Sequence, residues 1–124
     1  MMPFAWLMGV SAGDAYEVGR LLAERLIATE FKAYETLAGM RAGPKPVITG
    51  RSAFIASYAL CGFAHVASLA IFVGGVAALV PQRRKDIAAV GPRALIAATI
   101  ACLLTGAVAG LFHSADLTAV TSRP

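Results

Sequence analysis

The chain of 124 residues is 58% hydrophobic and 15% charged, and its mean hydropathy is +0.71. This composition is too apolar for an ordinary soluble domain and indicates that lipid surrounds much of the chain. The net charge of +4 does not indicate nucleic acid as a partner, because the basic residues lie in small groups beside apolar segments and form no continuous stripe.

Two long stretches of the sequence carry no charged residue. Residues 52–82 contain no Lys, Arg, Asp or Glu over 31 positions, and residues 94–115 contain none over 22 positions. A helix needs about 20 apolar residues to cross a bilayer core, so the sequence predicts two membrane spans. Residues 1–10 are also apolar, but they lack the basic leading region of a signal peptide, and we expect none.

The segment of residues 14–40 begins with the pattern of an amphipathic helix. Asp14 and Glu17 have the spacing of a capping box, which predicts a helix start at Asp14. Arg20 and Glu24 are four residues apart, and this spacing predicts an ion pair on the polar face of the helix.

The polar pair Thr29-Glu30 interrupts this segment among apolar neighbours, and Pro44 and Pro46 end it. Two interpretations fit the pattern. In the first, two half-length helices form a re-entrant hairpin, which membranes tolerate only where the tip is buried in protein or lines a water-filled cavity. In the second, one amphipathic helix lies in the headgroup layer, and composition alone favours this second interpretation.

The first long span, residues 51–80, has an unusual centre. Gly62, His65 and Ser68 lie near its middle, and an imidazole at that depth costs about 2 kcal/mol or more unless it faces protein or water. One interpretation is a packed span in which His65 bonds a neighbouring helix. The other is a span broken between Gly62 and Ser68, which exposes His65 to a cavity at the midplane.

The last span is predicted over residues 92–112. Pro92 suits the first position of a helix, where the missing amide donor costs nothing. Gly106 and Gly110 form a small-residue face of the kind that packs two membrane helices together.

Three polar residues remain as candidates for a binding site at depth: Glu30, His65 and Ser68. A carboxylate accepts hydrogen bonds from two adjacent hydroxyls, and an aromatic such as Phe63 covers an apolar face, so this set suits a small polyhydroxylated ligand. We expect no metal site, because His113 lies far along the last span, and no enzymatic activity, because no nucleophile motif accompanies the serines.

Four sequence motifs follow one another along the chain. They are residues 29–34 (Thr-Glu-Phe-Lys-Ala-Tyr), 58–68 (Tyr-Ala-Leu-Cys-Gly-Phe-Ala-His-Val-Ala-Ser), 81–86 (Pro-Gln-Arg-Arg-Lys-Asp) and 91–95 (Gly-Pro-Arg-Ala-Leu). The most specific is the Tyr-Ala-Leu-Cys-Gly-Phe-Ala stretch, which is followed by a polar residue and by a serine three positions later. In this order the motifs resemble the carboxy-terminal part of the concentrative nucleoside transporter family, and the resemblance covers residues 3–111.

The resemblance implies an all-α, multi-pass protein of the cell (inner) membrane. Its expected fold is a re-entrant helical hairpin, a broken transmembrane helix and a final transmembrane helix, within the elevator-type transport domain of a homotrimer. The implied activity is cation-coupled nucleoside symport, usually driven by sodium.

In that family the hairpin tip carries a Glu, which matches Glu30. The broken helix carries Phe, Asn and Ser around the ribose, and these match Phe63, His65 and Ser68. His65 therefore stands where the family typically has Asn, and Thr29 also stands where Asn is usual. Because imidazole is larger than a carboxamide and titratable, the resemblance leaves substrate choice and the coupling ion open.

Family members are much longer than this chain. The resemblance implies that a missing amino-terminal part supplies the sodium site and most contacts to the base, so we expect no transport by this chain alone and no cofactor within it. The alternative is a small two-span membrane interaction protein without transport activity, packed through Gly106 and Gly110.

Overall fold

The structure is a computed structural model that describes residues 1–42 and 44–121. All regular secondary structure in these residues is helical, as expected for the all-α class. In chain order the elements are α1 (Met2–Leu7), α2 (Ala15–Ile27), α3 (Glu30–Arg41), α4 (Gly50–Leu60), α5 (Val66–Leu79), a 3₁₀ turn (Pro81–Arg83) and α6 (Arg84–Thr121).

The loop between α1 and α2 is tied to the start of α4. Asp14 precedes α2, but its side chain makes no capping bond to that helix, so the predicted capping box with Glu17 is wrong. The Asp14 carboxylate instead accepts hydrogen bonds from the Thr49 amide at 3.0 Å and the Thr49 hydroxyl at 2.7 Å. Thr49, at the N-terminus of α4, lies 35 residues from Asp14 in sequence. Asp14 therefore binds a distant residue instead of capping its own helix.

Hydrogen bonding also sets the ionisation of Asp14. Burial alone would raise the pKa of this carboxyl, but hydrogen bonds from Ser52, Thr49 and Ser11 outweigh burial and lower the pKa from 3.8 to about 2. Asp14 is therefore a buried anion that joins the α1–α2 loop to α4.

The helices α2 and α3 form a hairpin. The backbone leaves helical geometry at Ala28 and is extended at Thr29, whose hydroxyl accepts a hydrogen bond from the Lys32 amide and so caps α3. The two helices pack side by side, and Thr36 in α3 donates to Glu24 in α2 at 3.1 Å. The segment is thus two helices that turn back on each other at Ala28 and Thr29.

Glu24 is engaged by this contact between the two helices, and the ion pair predicted between Arg20 and Glu24 is wrong. Arg20 instead pairs with Glu17, three residues earlier, at 3.3 Å. Glu17 and Glu24 both lie on the same helix face as Arg20, because positions three and four residues apart are neighbours on a helix. Since Glu24 accepts the hydrogen bond from Thr36, Arg20 pairs with Glu17.

A second helix interruption separates α4 from α5. The helix α4 ends at Leu60, and α5 begins at Val66. The intervening residues, 61–65, are called the break below. His65 is extended and caps α5, because its side chain accepts a hydrogen bond from the Ser68 amide.

The helix α6 begins earlier than the sequence indicates. It starts at Arg84, and Pro92 lies inside it, so the prediction that a helix begins at Pro92 is wrong. The preceding turn is held helical by tertiary packing: a Cβ on Gly91 would lie only 3.3 Å from atoms of Leu69 and of Val73 in α5. Within the described residues, Pro81–His113 is the one helical stretch long and apolar enough to cross a membrane, and it contains an 18-residue window of mean hydropathy 2.2.

A seam of glycines joins α6 to α4 in antiparallel register. A Cβ on Gly106 would lie 2.9 Å from Ala59 Cβ, and a Cβ on Gly110 would lie 2.9 Å from Ile55 Cδ1. Gly106 and Gly110 therefore pack inside the chain, and they form no free face through which a partner could dock.

The same seam reaches the break at Gly62, where a Cβ would overlap the Sγ of Cys102 in α6. Replacing Gly62 by Ala is therefore expected to push α6 away and to destabilise the chain by about 1–3 kcal/mol, the usual cost of overpacking. Thermal unfolding of the detergent-solubilised chain measures this change.

Gly74→Ala is the matched control, because no atom lies within 4 Å of its Cβ position, and it is expected to be neutral or slightly stabilising. Adding Cys102→Ala to Gly62→Ala removes the overlapping sulfur and should restore stability. Equal stability of Gly62→Ala and Gly74→Ala would contradict this packing.

Candidate functional site

The tip of the hairpin and the break meet at one place. Glu30 is the first residue of α3 and His65 is the last residue of the break, and Glu30 Oε2 lies 3.0 Å from His65 Nε2. His65 is 5% exposed, and the Glu30 side chain is 20% exposed. Two residues 35 positions apart therefore form one partly buried polar pair.

Ser68 completes this group and fixes the tautomer of His65. The Ser68 amide donates to His65 Nδ1 at 3.1 Å, so Nδ1 carries no hydrogen. In the neutral ring the hydrogen is then on Nε2, which faces both Glu30 Oε2 and the Ser68 hydroxyl, the latter at 2.7 Å. The structure brings together all three polar residues singled out in the sequence.

Phe63 lies on the rim of this group. Its side chain is 77% exposed, and its ring centre lies 6.4 Å from that of His65. A cavity of about 400 Å³ opens beside it and is lined by Phe63, His65, Ser68 and apolar residues of α5 and α6. Glu30 does not line this cavity, since it approaches His65 from the hairpin side.

Arg25 is a structural residue of the site that the sequence analysis missed. It lies in the last turn of α2, is only 1% exposed, and donates from Nη1 to the Ala59 carbonyl at 2.5 Å. That carbonyl belongs to the last turn of α4, where no following amide is available within the helix. The spacing of Val18, Leu22 and Arg25 places the arginine on the buried face, and this signal was available in the sequence.

A second bond from the hairpin supports the same end of α4. The Tyr34 hydroxyl in α3 donates to the Ser57 carbonyl at 2.6 Å, and the Ser57 hydroxyl in turn donates to the Ala53 carbonyl. Both helices of the hairpin therefore bind backbone carbonyls of α4 next to the break.

The family of the chain follows from a match to a family model. The family model described as "Na+ dependent nucleoside transporter C-terminus" matches residues 1–110. The chain belongs to this family. The resemblance inferred from the sequence motifs is thereby confirmed, and with it a place among nucleoside transport proteins of the membrane.

Individual relatives agree with this assignment. The chain is 44% identical to solute carrier family 28 member 3 of Homo sapiens, over 91% of the chain and 18% of that protein. It is 38% identical to sodium/nucleoside cotransporter 1 of Rattus norvegicus, over 91% of the chain and 19% of that protein. It is also similar to CNTnw in an inward-facing, substrate-bound state, with a TM-score of 0.85 and 34% identity, over 91% of the chain and 28% of CNTnw.

The chain thus spans less than a third of the length of each of these proteins. The similarity to CNTnw shows the same all-helical fold over nearly all of the chain.

The role of Arg25 can be tested on the chain itself. Arg25→Met keeps an apolar stem but removes the guanidinium, so the Ala59 carbonyl loses its donor, and we expect a loss of about 1.5–3 kcal/mol of stability. The control is Arg20→Met, which removes an arginine of the same helix whose side chain is 55% exposed and pairs with Glu17, and it should change stability by less than about 0.5–1 kcal/mol. Thermal unfolding in detergent measures both, and equal effects would show that the buried bond contributes nothing.

Proposed function

We propose that this chain is the carboxy-terminal part of a cation-coupled, sodium-driven nucleoside symporter and that it contributes the residues that bind ribose. The observation that carries the proposal is the meeting of Glu30, His65 and Ser68 where the hairpin tip faces the break, in a chain that belongs to the transporter family. No enzymatic role is proposed.

The chemistry of these residues suits a ribose. The carboxylate of Glu30 accepts hydrogen bonds from two neighbouring sugar hydroxyls, and charge-assisted bonds of this kind are short and strong. His65 Nε2–H donates to a hydroxyl oxygen, and Ser68 donates or accepts. Phe63 is exposed at the rim and covers the apolar face of the sugar.

The histidine in place of the family's asparagine fits this role. An asparagine at a helix N-cap accepts the backbone bond through its oxygen and keeps its amide hydrogens free. His65 does the same through its two nitrogens, because Nδ1 accepts from the Ser68 amide and Nε2 keeps a hydrogen that faces Glu30. The substitution preserves one acceptor and one donor, in a larger ring.

The position of the break along α6 supports a site at the centre of a membrane. Gly62 in the break contacts Cys102, which is the ninth of the 22 uncharged residues 94–115. At 1.5 Å per residue, Cys102 lies about 14 Å from the charged end of that stretch, close to half of a hydrocarbon core of about 30 Å. Discontinuous helices that meet near the midplane are typical of transporter binding sites.

The remaining functions are assigned to the part of the transporter outside this chain. We propose that this part binds sodium, as the printed name of the rat sodium/nucleoside cotransporter suggests, and that the complete protein is a multi-pass, elevator-type homotrimer of the cell (inner) membrane. The present chain alone is not expected to transport, because the binding group is open on the side of Phe63.

The proposal is tested in a chimera in which residues 1–110 replace the matching region of a full-length relative. Glu30→Gln keeps the shape of the side chain but removes its charge, and nucleoside affinity is expected to fall at least about tenfold, the value of one charge-assisted bond. Equilibrium binding of uridine measures the change.

Glu35→Gln is the control, because Glu35 lies on the same helix and pairs with the exposed Lys32. It should leave affinity unchanged. Unchanged uridine affinity in Glu30→Gln, with a chimera that still binds before mutation, would refute the ribose-binding role.

A further inference from the structure

An open groove lies between the end of α5 and the start of α6, at the other end of α5 from His65. Its volume is about 480 Å³. The walls are apolar and come from both helices, and the residues that form them include Phe72, Val73, Val80, Ile87, Val90 and Ala94. A groove of this composition accommodates a hydrocarbon chain.

Basic residues cluster in the segment of the chain that forms one wall of this groove. Arg83 lines the groove, and Arg84 and Lys85 follow it, all with exposed side chains. Arg93 lies one residue before the uncharged stretch of α6. Asp86, the one acid among residues 83–93, also lines the groove and lies 3.7 Å from Arg83. Because this single long ion pair engages one end of the guanidinium, the other donors of Arg83 stay available to a phosphate.

The length of α5 gives the distance of the basic turn from the membrane midplane. This step rests on the proposed function, because it takes the break as the midplane. The helix has 14 residues, which at 1.5 Å per residue extend about 21 Å from Val66. Half of a bilayer with its headgroups is about 20–22 Å thick. The basic turn therefore lies at the level of the lipid phosphates, and the groove runs from there toward the hydrocarbon.

We propose that this groove is a binding site for an anionic phospholipid. The phosphate of the lipid binds Arg83, whose planar guanidinium suits bidentate contacts to phosphate oxygens. One acyl chain lies against Val73 and Val90. Charge complementarity favours this occupant over an apolar helix of another subunit. Residues 83–93 carry one acid, Asp86, and an apolar helix would supply no further negative charge to the four cations of this segment, Arg83, Arg84, Lys85 and Arg93.

The test uses the full chain in detergent and reads bound lipid by native mass spectrometry. The probes are phosphatidylglycerol and phosphatidylcholine with identical acyl chains. We expect the chain to retain phosphatidylglycerol at least about tenfold more strongly, since each basic residue near an anionic surface contributes severalfold in affinity. Equal retention of the two lipids would overturn the proposal.

Paired variants separate a built site from general attraction. Arg83→Gln with Arg84→Gln should lower phosphatidylglycerol retention at least about tenfold. Arg41→Gln with Lys45→Gln removes the same charge from the end of α3 and the loop that follows it, and should leave retention unchanged. Arg83→Lys should retain lipid better than Arg83→Gln, which shows that loss of binding is not loss of fold. An equal loss in the Arg41 and Lys45 pair would overturn the proposal.

The groove itself is tested by Val90→Trp, which fills the cavity without changing charge. Val90 is 58% exposed, so the larger side chain fits without disturbing the core, and circular dichroism checks the helical content. Retention of phosphatidylglycerol should be lost. If phosphatidylglycerol is still retained after Val90→Trp, the acyl-chain site is overturned. It is also overturned, in favour of a site for a soluble anion, if glycerol phosphate competes for the site as effectively as a phospholipid does.

One further arm distinguishes lipid from protein as the occupant. Adding the amino-terminal part of a full-length relative should leave the lipid bound, and displacement of the lipid would show that a helix of that part covers the groove. The assay does not read nucleoside, and Glu30→Gln should not change lipid retention. A negative result therefore overturns the lipid site while the nucleoside-binding proposal stands on its own test.

Discussion

Polar backbone groups at an interrupted helix must find partners, and this requirement organises the structure. Lipid offers no hydrogen bonds, so a helix that stops within a membrane is stable only where protein satisfies its free carbonyls and amides. Here the hairpin supplies the donors: Arg25 binds the carbonyl of Ala59 and Tyr34 binds the carbonyl of Ser57. His65 accepts from the first turn of α5. Neither the hairpin nor the break is complete without the other.

The same contacts that satisfy the backbone also assemble the polar group. Because Arg25 and Tyr34 hold the end of α4 against the hairpin, the start of α3 comes to lie opposite the start of α5. Glu30 and His65 are the side chains at these two positions, and they meet at 3.0 Å. Both stand at helix starts, where neighbouring amides point outward and a ligand can be bound by side chains and backbone together. The seam of glycines then fixes α6 alongside, with Gly62 against Cys102.

The sequence predicted those features that depend on local composition. The all-helical class, the family and the candidates Glu30 and His65 followed from apolar runs interrupted by polar residues and from motifs. Long-range contacts were not predictable in this way. Asp14 binds Thr49 instead of capping its own helix, and Pro92 lies within a helix because α5 packs against the turn before it. In both cases a partner distant in sequence determined the outcome.

The central claim is that nucleoside binds where the hairpin tip faces the break. The most direct measurement is thiol labelling of Thr29→Cys, an exposed tip position, in the chimeric transporter without other cysteines. Saturating uridine should slow labelling of Thr29→Cys several-fold, while Lys45→Cys in the loop after α3 should react at the same rate with and without uridine. Equal labelling of Thr29→Cys in both conditions, in a chimera that still binds uridine, would contradict the account.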